Sequence, residues 1–225
     1  MKINRRLLLI ALVPAALFLL LTAAVCLLDV QAVGPEGSSV GLATLNNGFF
    51  QLIGTHLWLY HLTNWLGYLA IGVMLFFACL GLWQLITSRS FKGVDLQIWL
   101  LGALYVVIAA IYVFFEKVVV NCRPVLMDGE LEASFPSSHT VLACVVFRSA
   151  ALAIGRYVTD TRFLNPIRLA LLGLTVVLVL GRLFSGVHWL TDILAGILLS
   201  AALLFVFAAF RPRRKKGKTA HGKTA

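Results

Sequence analysis

The sequence predicts an all-α, polytopic membrane bundle of six transmembrane helices, with a short interfacial helix after the first. Three observations lead there. First, 60% of the 225 residues are hydrophobic and only 12% are charged, against about 45–50% and about 25% in ordinary soluble domains. A domain of this size leaves roughly a quarter to a third of its unfolded surface exposed, so this much apolar surface requires lipid as its solvent. Second, apolar runs near 20 residues recur, the length that crosses a hydrocarbon core about 30 Å thick. Third, Lys and Arg are shared very unequally between the two sets of connections. A soluble globular protein, a disordered chain and a disulfide scaffold are excluded.

The first apolar run extends from Leu7 to Leu28, behind Lys2, Arg5 and Arg6. It is longer than a signal-peptide core of about 7–15 residues. Val25 before Cys26 is not the small residue a lipoprotein cleavage site needs, so an uncleaved span is expected. From Asp29 to about Asn64 the chain is mixed. Turn formers (Gly34, Pro35, Gly37, Ser38, Ser39) give way to Phe49, Phe50, His56, Trp58, Tyr60 and His61. Trp and Tyr favour the membrane–water boundary, so this stretch reads as an amphipathic helix on the outer surface. His56 and His61 have no acidic or Cys partner at ligand spacing and suggest no metal site.

The second span covers about Trp65 to Ile86 and the third about Leu96 to Phe115, with Arg89 and Lys92 between them. A polar connection, Glu116 to Pro136, leads to a fourth run from Ser137 to about Tyr157. A loop with Asp160, Arg162, Asn165 and Pro166 precedes the fifth span, which ends near Leu183. Ser185 and Gly186 turn the chain into the sixth, about His188 to Phe210. Residues 1–210 thus form one membrane domain, and residues 211–225 a basic, disordered cytoplasmic tail. Cys26, Cys79 and Cys144 lie in apolar runs, where free Cys packs as a small hydrophobe. Cys122 lies in a loop, and neither a disulfide nor a zinc motif is signalled.

The net charge of +10 is mostly that tail, which holds seven of the 19 Lys and Arg residues. A basic run just past an apolar helix suits anionic lipid headgroups and calls for no nucleic-acid partner. Six spans place both termini on one side. With them fall Arg89, Lys92, Arg156, Arg162 and Arg168, whereas the other side receives only Lys117, Arg123 and Arg182. Both termini are therefore expected in the cytoplasm of a bacterial-type plasma membrane. Arg148 falls inside the fourth run.

The three extracytoplasmic basic residues have company. Lys117, Arg123 and Pro124 are followed by Pro136-Ser137-Ser138-His139 at the mouth of the fourth span, and Arg182 by His188 and Asp192 in the 5–6 connection. Arg binds phosphate through a planar fork and Lys as a point charge. Ser137 and Ser138 stand where a helix starts, with free N–H groups suited to an anion, although Ser137 also suits a simple N-cap. His188 and Asp192 share a helix face, and a carboxylate beside an imidazole fixes its tautomer and leaves the other nitrogen free to attack. His139 is placed to protonate a leaving oxygen. Two imidazoles of opposite role around an anion cradle point to phosphoryl transfer through a phosphohistidine. Asp128, Glu130 and Glu132 read as a solvated acidic loop, or else as a gate pairing with Arg123 or Arg182 in the empty site.

These segments resemble, in order, the motifs K-x6-RP, PSGH and SR-x5-H-x3-D of the type 2 phosphatidic acid phosphatase superfamily. The resemblance covers about Lys117 to Asp192, and the family's six-span architecture covers almost the whole chain. It implies His188 as nucleophile, Asp192 as its orienting partner and His139 as general acid and then base. It also implies Lys117, Arg123, Ser137, Ser138 and Arg182 around the phosphate oxygens, and neither metal nor cofactor. The substrate would be a membrane lipid phosphate: undecaprenyl pyrophosphate, phosphatidylglycerophosphate or phosphatidic acid. Ser138 stands where the motif has Gly, and Gly181 where it has Ser. Transfer of phosphate to another lipid, or a non-catalytic lipid-binding or transport role, are the alternatives.

Overall fold

The computed structural model describes residues 3–212; the basic tail from Arg213 onward lies outside the described residues. Seven α-helices follow one another: α1 (Arg5–Leu27), α2 (Ala43–Ile53), α3 (Leu57–Ser88), α4 (Leu96–Lys117), α5 (Ser138–Ala153), α6 (Thr161–Phe184) and α7 (Leu190–Phe210). No strand occurs among the described residues. Six of the helices, all but α2, are long and apolar enough to cross a membrane. Their outward faces carry large exposed apolar side chains such as Leu9, Leu19, Trp83, Val106 and Leu169, as lipid contact demands.

α5 is the most enclosed span. It packs against α3, α4, α6 and α7. Its small and β-branched residues, Ala143, Val145, Val146 and Ala150, let these neighbours approach, and Phe77, Leu101, Leu178 and Phe207 fill the space between them. α1 lies along α7, where the Asn4 N–H donates to the Ala209 carbonyl at 3.0 Å. The first apolar run is therefore built into the bundle. At the same end Arg156 pairs with Asp95, and Arg211 Nη1 donates to the Leu152 carbonyl at 2.6 Å.

Two helix starts differ from expectation. The aromatic segment before Trp65 is not an interfacial helix but the first two turns of α3. Gly54 (φ +70°) is the last break, and nothing after it stops a helix. α3 is 32 residues long, about 48 Å at the helical rise, so its ends stand beyond a core of about 30 Å. The expected loop before the fifth span is helical from Thr161, because the Asp160 carboxylate caps it by accepting from the Arg162 N–H at 2.9 Å.

The interfacial helix is the shorter α2, pinned to the start of α7. Asn46 is fully buried. Its Nδ2 donates to the Gly41 carbonyl (2.8 Å) and to Thr191 Oγ1 (3.0 Å), and its Oδ1 accepts from the Thr191 N–H (3.2 Å). Asn46→Ala strands these partners and is expected to cost about 2 kcal/mol. An unchanged unfolding midpoint in detergent would show that the clamp is idle.

Candidate active site

Five segments converge at the end of the bundle opposite the two termini. They are the start of α3, the 118–137 connection, the N-terminus of α5, the C-terminus of α6 and the loop entering α7. The connection is held by an antiparallel bridge between Cys122 and Ala133 and by the Ser134 N–H donating to the Asn121 carbonyl at 2.9 Å. It is tied to the rest by the Gly41 N–H donating to Asn121 Oδ1 (3.1 Å) and Trp189 Nε1 donating to the Cys122 carbonyl (2.7 Å).

His188 sits two residues ahead of α7 and is 3% exposed; Asp192 lies in the first turn and is fully buried. The Asp192 carboxylate accepts from the Trp189 N–H at 2.9 Å, the reach of an N3 acid back to a helix start. The same Oδ2 is 3.6 Å from His188 Nδ1, just beyond hydrogen-bond contact. On the other side of the ring, Nε2 lies 3.2 Å from Arg123 Nη1. A guanidinium can only donate, so Nε2 is the acceptor and a neutral ring carries its proton on Nδ1, facing Asp192.

Arg123 reaches this position from the connection. Its Nη1 also donates to the Val187 carbonyl at 3.4 Å, and its Nε donates to Glu132 at 2.9 Å. Glu132 is the acidic-loop residue that pairs with a site cation. Its side chain is 47% exposed against 10% for Arg123, so the pair is open to water on the carboxylate side.

Arg182 is completely buried in the last turn of α6. Nη2 donates to Asn64 Oδ1, the guanidinium carbon stands 4.9 Å from the Tyr60 ring centre, and Nε and Nη1 have no partner. The His139 ring lies beside Gly67 of α3, and its Nδ1 is buried without a partner. Both His139 and His188 line a cavity of about 420 Å³ walled by α3, α4 and α5 through Ile71, Met74, Ile108 and Val141. It is an apolar chamber with two imidazoles at one end.

Ser137 occupies the N-cap position of α5 without capping it through its side chain, and its hydroxyl accepts from Thr140 at 3.0 Å. Its N–H is not free, contrary to expectation, because it donates to the Asp192 carbonyl at 3.1 Å. That bond ties the His139 segment to the His188–Asp192 segment. Ser138 is half-buried and lines the cavity.

Lys117 differs from expectation. Only five residues separate it from Arg123, one fewer than K-x6-RP requires, and the motif position falls on Glu116. Successive helical residues point about 100° apart. Glu116 accordingly lines the cavity, whereas Lys117 is exposed at the end of α4 with no hydrogen bond or ion pair among the described residues. Its charge still complements the C-terminal dipole of α4. Tyr60, Asn64 and Gly67 were missed from sequence, although polar and small residues at i, i+4 and i+7 in an apolar run mark one helix face.

The His188 pKa is held well below the ordinary imidazole value, by burial above all, then by the Arg123 and Arg182 guanidiniums and by His139. Asp192 and Glu132 are the acids facing this group. Above about pH 6.5 neither state binds the proton. As pH falls below that, the unfolded chain takes it up and the folded one does not, so stability falls by at most about 1.4 kcal/mol per pH unit. Wild type is therefore expected to lose more stability between pH 6.5 and 5 than His188→Gln. Parallel pH curves would count against a neutral buried His188.

A membrane bundle with two histidines at one end of an apolar chamber, an arginine against one of those rings and a second buried arginine in the same end of the bundle has the parts of a phosphate-handling membrane protein. The chain belongs to the PAP2 superfamily, whose family model matches residues 99–216. Its structure is similar to the crystal structure of the first transmembrane PAP2 type phosphatidylglycerolphosphate phosphatase from Bacillus subtilis. The TM-score is 0.60 and the identity 17%, over 89% of this chain and 94% of that one. At that identity the likeness is one of fold. Comparison with curated proteins gave no match. With its six apolar crossings, the chain is an integral membrane protein.

Proposed function

We propose that this protein is a membrane lipid phosphatase that works through a phosphohistidine at the extracytoplasmic face. The observation that carries the reading is the His188 ring, held between Asp192 on its Nδ1 side and Arg123 on its Nε2 side, at the end of an apolar chamber shared with His139. The lipid chain occupies the chamber, and the phosphate sits among Arg123, Arg182 and the leading residues of α5, Ser137 and Ser138. Lys117, exposed at the end of α4, adds positive charge at the water boundary. Phosphate displaces Arg123 from Nε2 and competes with Glu132 for the guanidinium.

His188 Nε2 then attacks phosphorus and the bond to the lipid oxygen breaks, that oxygen taking a proton from His139. Asp192 stabilises the positive charge that develops on the ring. In the second step neutral His139 removes a proton from water, the oxygen attacks phosphorus, the P–N bond breaks, and phosphate leaves. The termini, on the strongly basic side, are cytoplasmic. Residues 1–210 constitute the catalytic domain and 211–225 a cytoplasmic appendage.

The test is phosphate release by purified protein in proteoliposomes from undecaprenyl pyrophosphate, phosphatidylglycerophosphate and phosphatidic acid, with and without EDTA. Release from one of them that survives EDTA supports the reading and names the substrate class. Disappearance of substrate without free phosphate, with label appearing in a second lipid, would replace hydrolysis by transfer. No reaction with any would overturn it.

A further inference from the structure

Arg182 is an anomaly by ordinary rules of burial. It is a fully buried cation, and no carboxylate pairs with it among the described residues. Burying a charge is costly unless it is paired or hydrogen-bonded. What surrounds it comes from one stripe of α3. Tyr60, Thr63, Asn64 and Gly67 are spaced three and four apart and so share a face.

Each makes a contact at the site. Tyr60 offers its ring face to the guanidinium, and Asn64 takes Nη2. Gly67 lies beside the His139 ring. Thr63 packs on Gly181, where an added Cβ would come to 2.5 Å from its Cγ2. Thr63 cannot turn away freely, because its hydroxyl donates to the Leu59 (2.8 Å) and Tyr60 (3.0 Å) carbonyls. The absent side chain at position 181 is thus what lets α3 approach closely enough for Asn64 and Tyr60 to meet Arg182.

Every partner is uncharged. Asn64 and Tyr60 fix the plane of the guanidinium without cancelling its charge, and they leave Nε and Nη1 as a vacant two-pronged donor. A carboxylate would have held the side chain equally well and neutralised it.

We propose that Asn64 and Tyr60 are positioning residues that hold Arg182 as a charged, preorganised fork for the substrate phosphate. This deepens the phosphatase reading and rests on it. The mechanism is indirect: neither residue touches phosphate, and both act through the guanidinium.

The experiment compares wild type, Asn64→Ala, Asn64→Asp, Tyr60→Leu and Tyr60→Phe in detergent. It measures unfolding temperature, its rise with inorganic phosphate, and KM and kcat with phosphatidic acid or whichever lipid is cleaved. Asn64→Ala is expected to raise KM and weaken the phosphate-induced rise by roughly tenfold in concentration. Asn64→Asp is the decisive variant. Its carboxylate pairs with Arg182, so the unfolding temperature is kept or increased while phosphate affinity falls further than in Asn64→Ala. Tyr60→Leu weakens phosphate binding, and Tyr60→Phe, which keeps the ring face, loses less.

A merely structural role predicts that phosphate affinity follows stability through the series, and that outcome would overturn the proposal. So would Asn64→Asp with wild-type phosphate affinity, or wild type with no response to phosphate. A wild type that is stabilised by phosphate yet cleaves no lipid would sink the phosphatase reading alone. The affinity order would still decide the role of Asn64 and Tyr60.

Discussion

His188→Ala is expected to lower phosphate release from the lipid substrate by roughly 10³-fold or more, with the fold and phosphate binding largely kept. The size of the effect follows from what the ring does. On the proposed mechanism, Arg123, Arg182 and the start of α5 would still gather the phosphate without it, but nothing nearby would replace Nε2 as a nucleophile. On the same proposed mechanism, losing His139 as general acid is expected to cost roughly 10²–10⁴-fold and to leave the covalent step slow but intact. Rapid quenching with phosphate-labelled substrate separates the two. Wild type and His139→Ala retain label on the protein, and His188→Ala does not. Equal release by wild type and His188→Ala would remove the ring from the chemistry.

The largest structural loss is expected at Gly186. Its φ is +67°, a conformation L side chains adopt at a cost. An added Cβ would also lie 2.0 Å from the Gly54 carbonyl oxygen. That carbonyl is main chain and cannot rotate aside, because the neighbouring His56 N–H is bonded to the Ser185 carbonyl at 2.9 Å. Strain and overpacking together put Gly186→Ala at roughly 3–4 kcal/mol. The 184–189 loop must shift to accommodate it, and His188 moves with the loop. Gly173→Ala in α6 is the control, since a Cβ there meets nothing within 4 Å. A helical Gly→Ala change in open space gains about 1 kcal/mol. Unfolding midpoints moving in opposite directions would confirm the contrast, and an unperturbed Gly186→Ala would show the loop to be pliable.

Much of this architecture was written in the chain. Six crossings follow from apolar run length alone, because lipid demands that every backbone group be satisfied within its own helix. His188 and Asp192 were legible as neighbours because a four-residue spacing at a helix start puts two side chains on one face. Interfacial aromatics concealed the start of α3, since Trp58 and Tyr60 suit either a surface helix or the protruding end of a span. The misplacement of Lys117 was itself legible, since one residue too few separates it from Arg123, and one position along α4 turns a side chain from the chamber to the outside. Partnerships across long separations were not legible. Asn46 with Thr191 and Asn64 with Arg182 depend on how helices dock, and no local spacing encodes that. The departure from the motif at Gly181 is where another helix fits.

The packing of α1 along α7 bears on biosynthesis. A chain emerging from the ribosome makes α1 early, yet its principal neighbour arrives only after about 160 further residues have been threaded into the membrane. The same late arrival delivers Asp192, the Trp189 N–H that orients it, and the carbonyl that receives the Ser137 N–H. Until then α1 has the ring contacts of Phe18 with Phe115 of α4 and with Phe135. The two imidazoles also have no common scaffold. Closure of the bundle and assembly of the candidate site are therefore a single event.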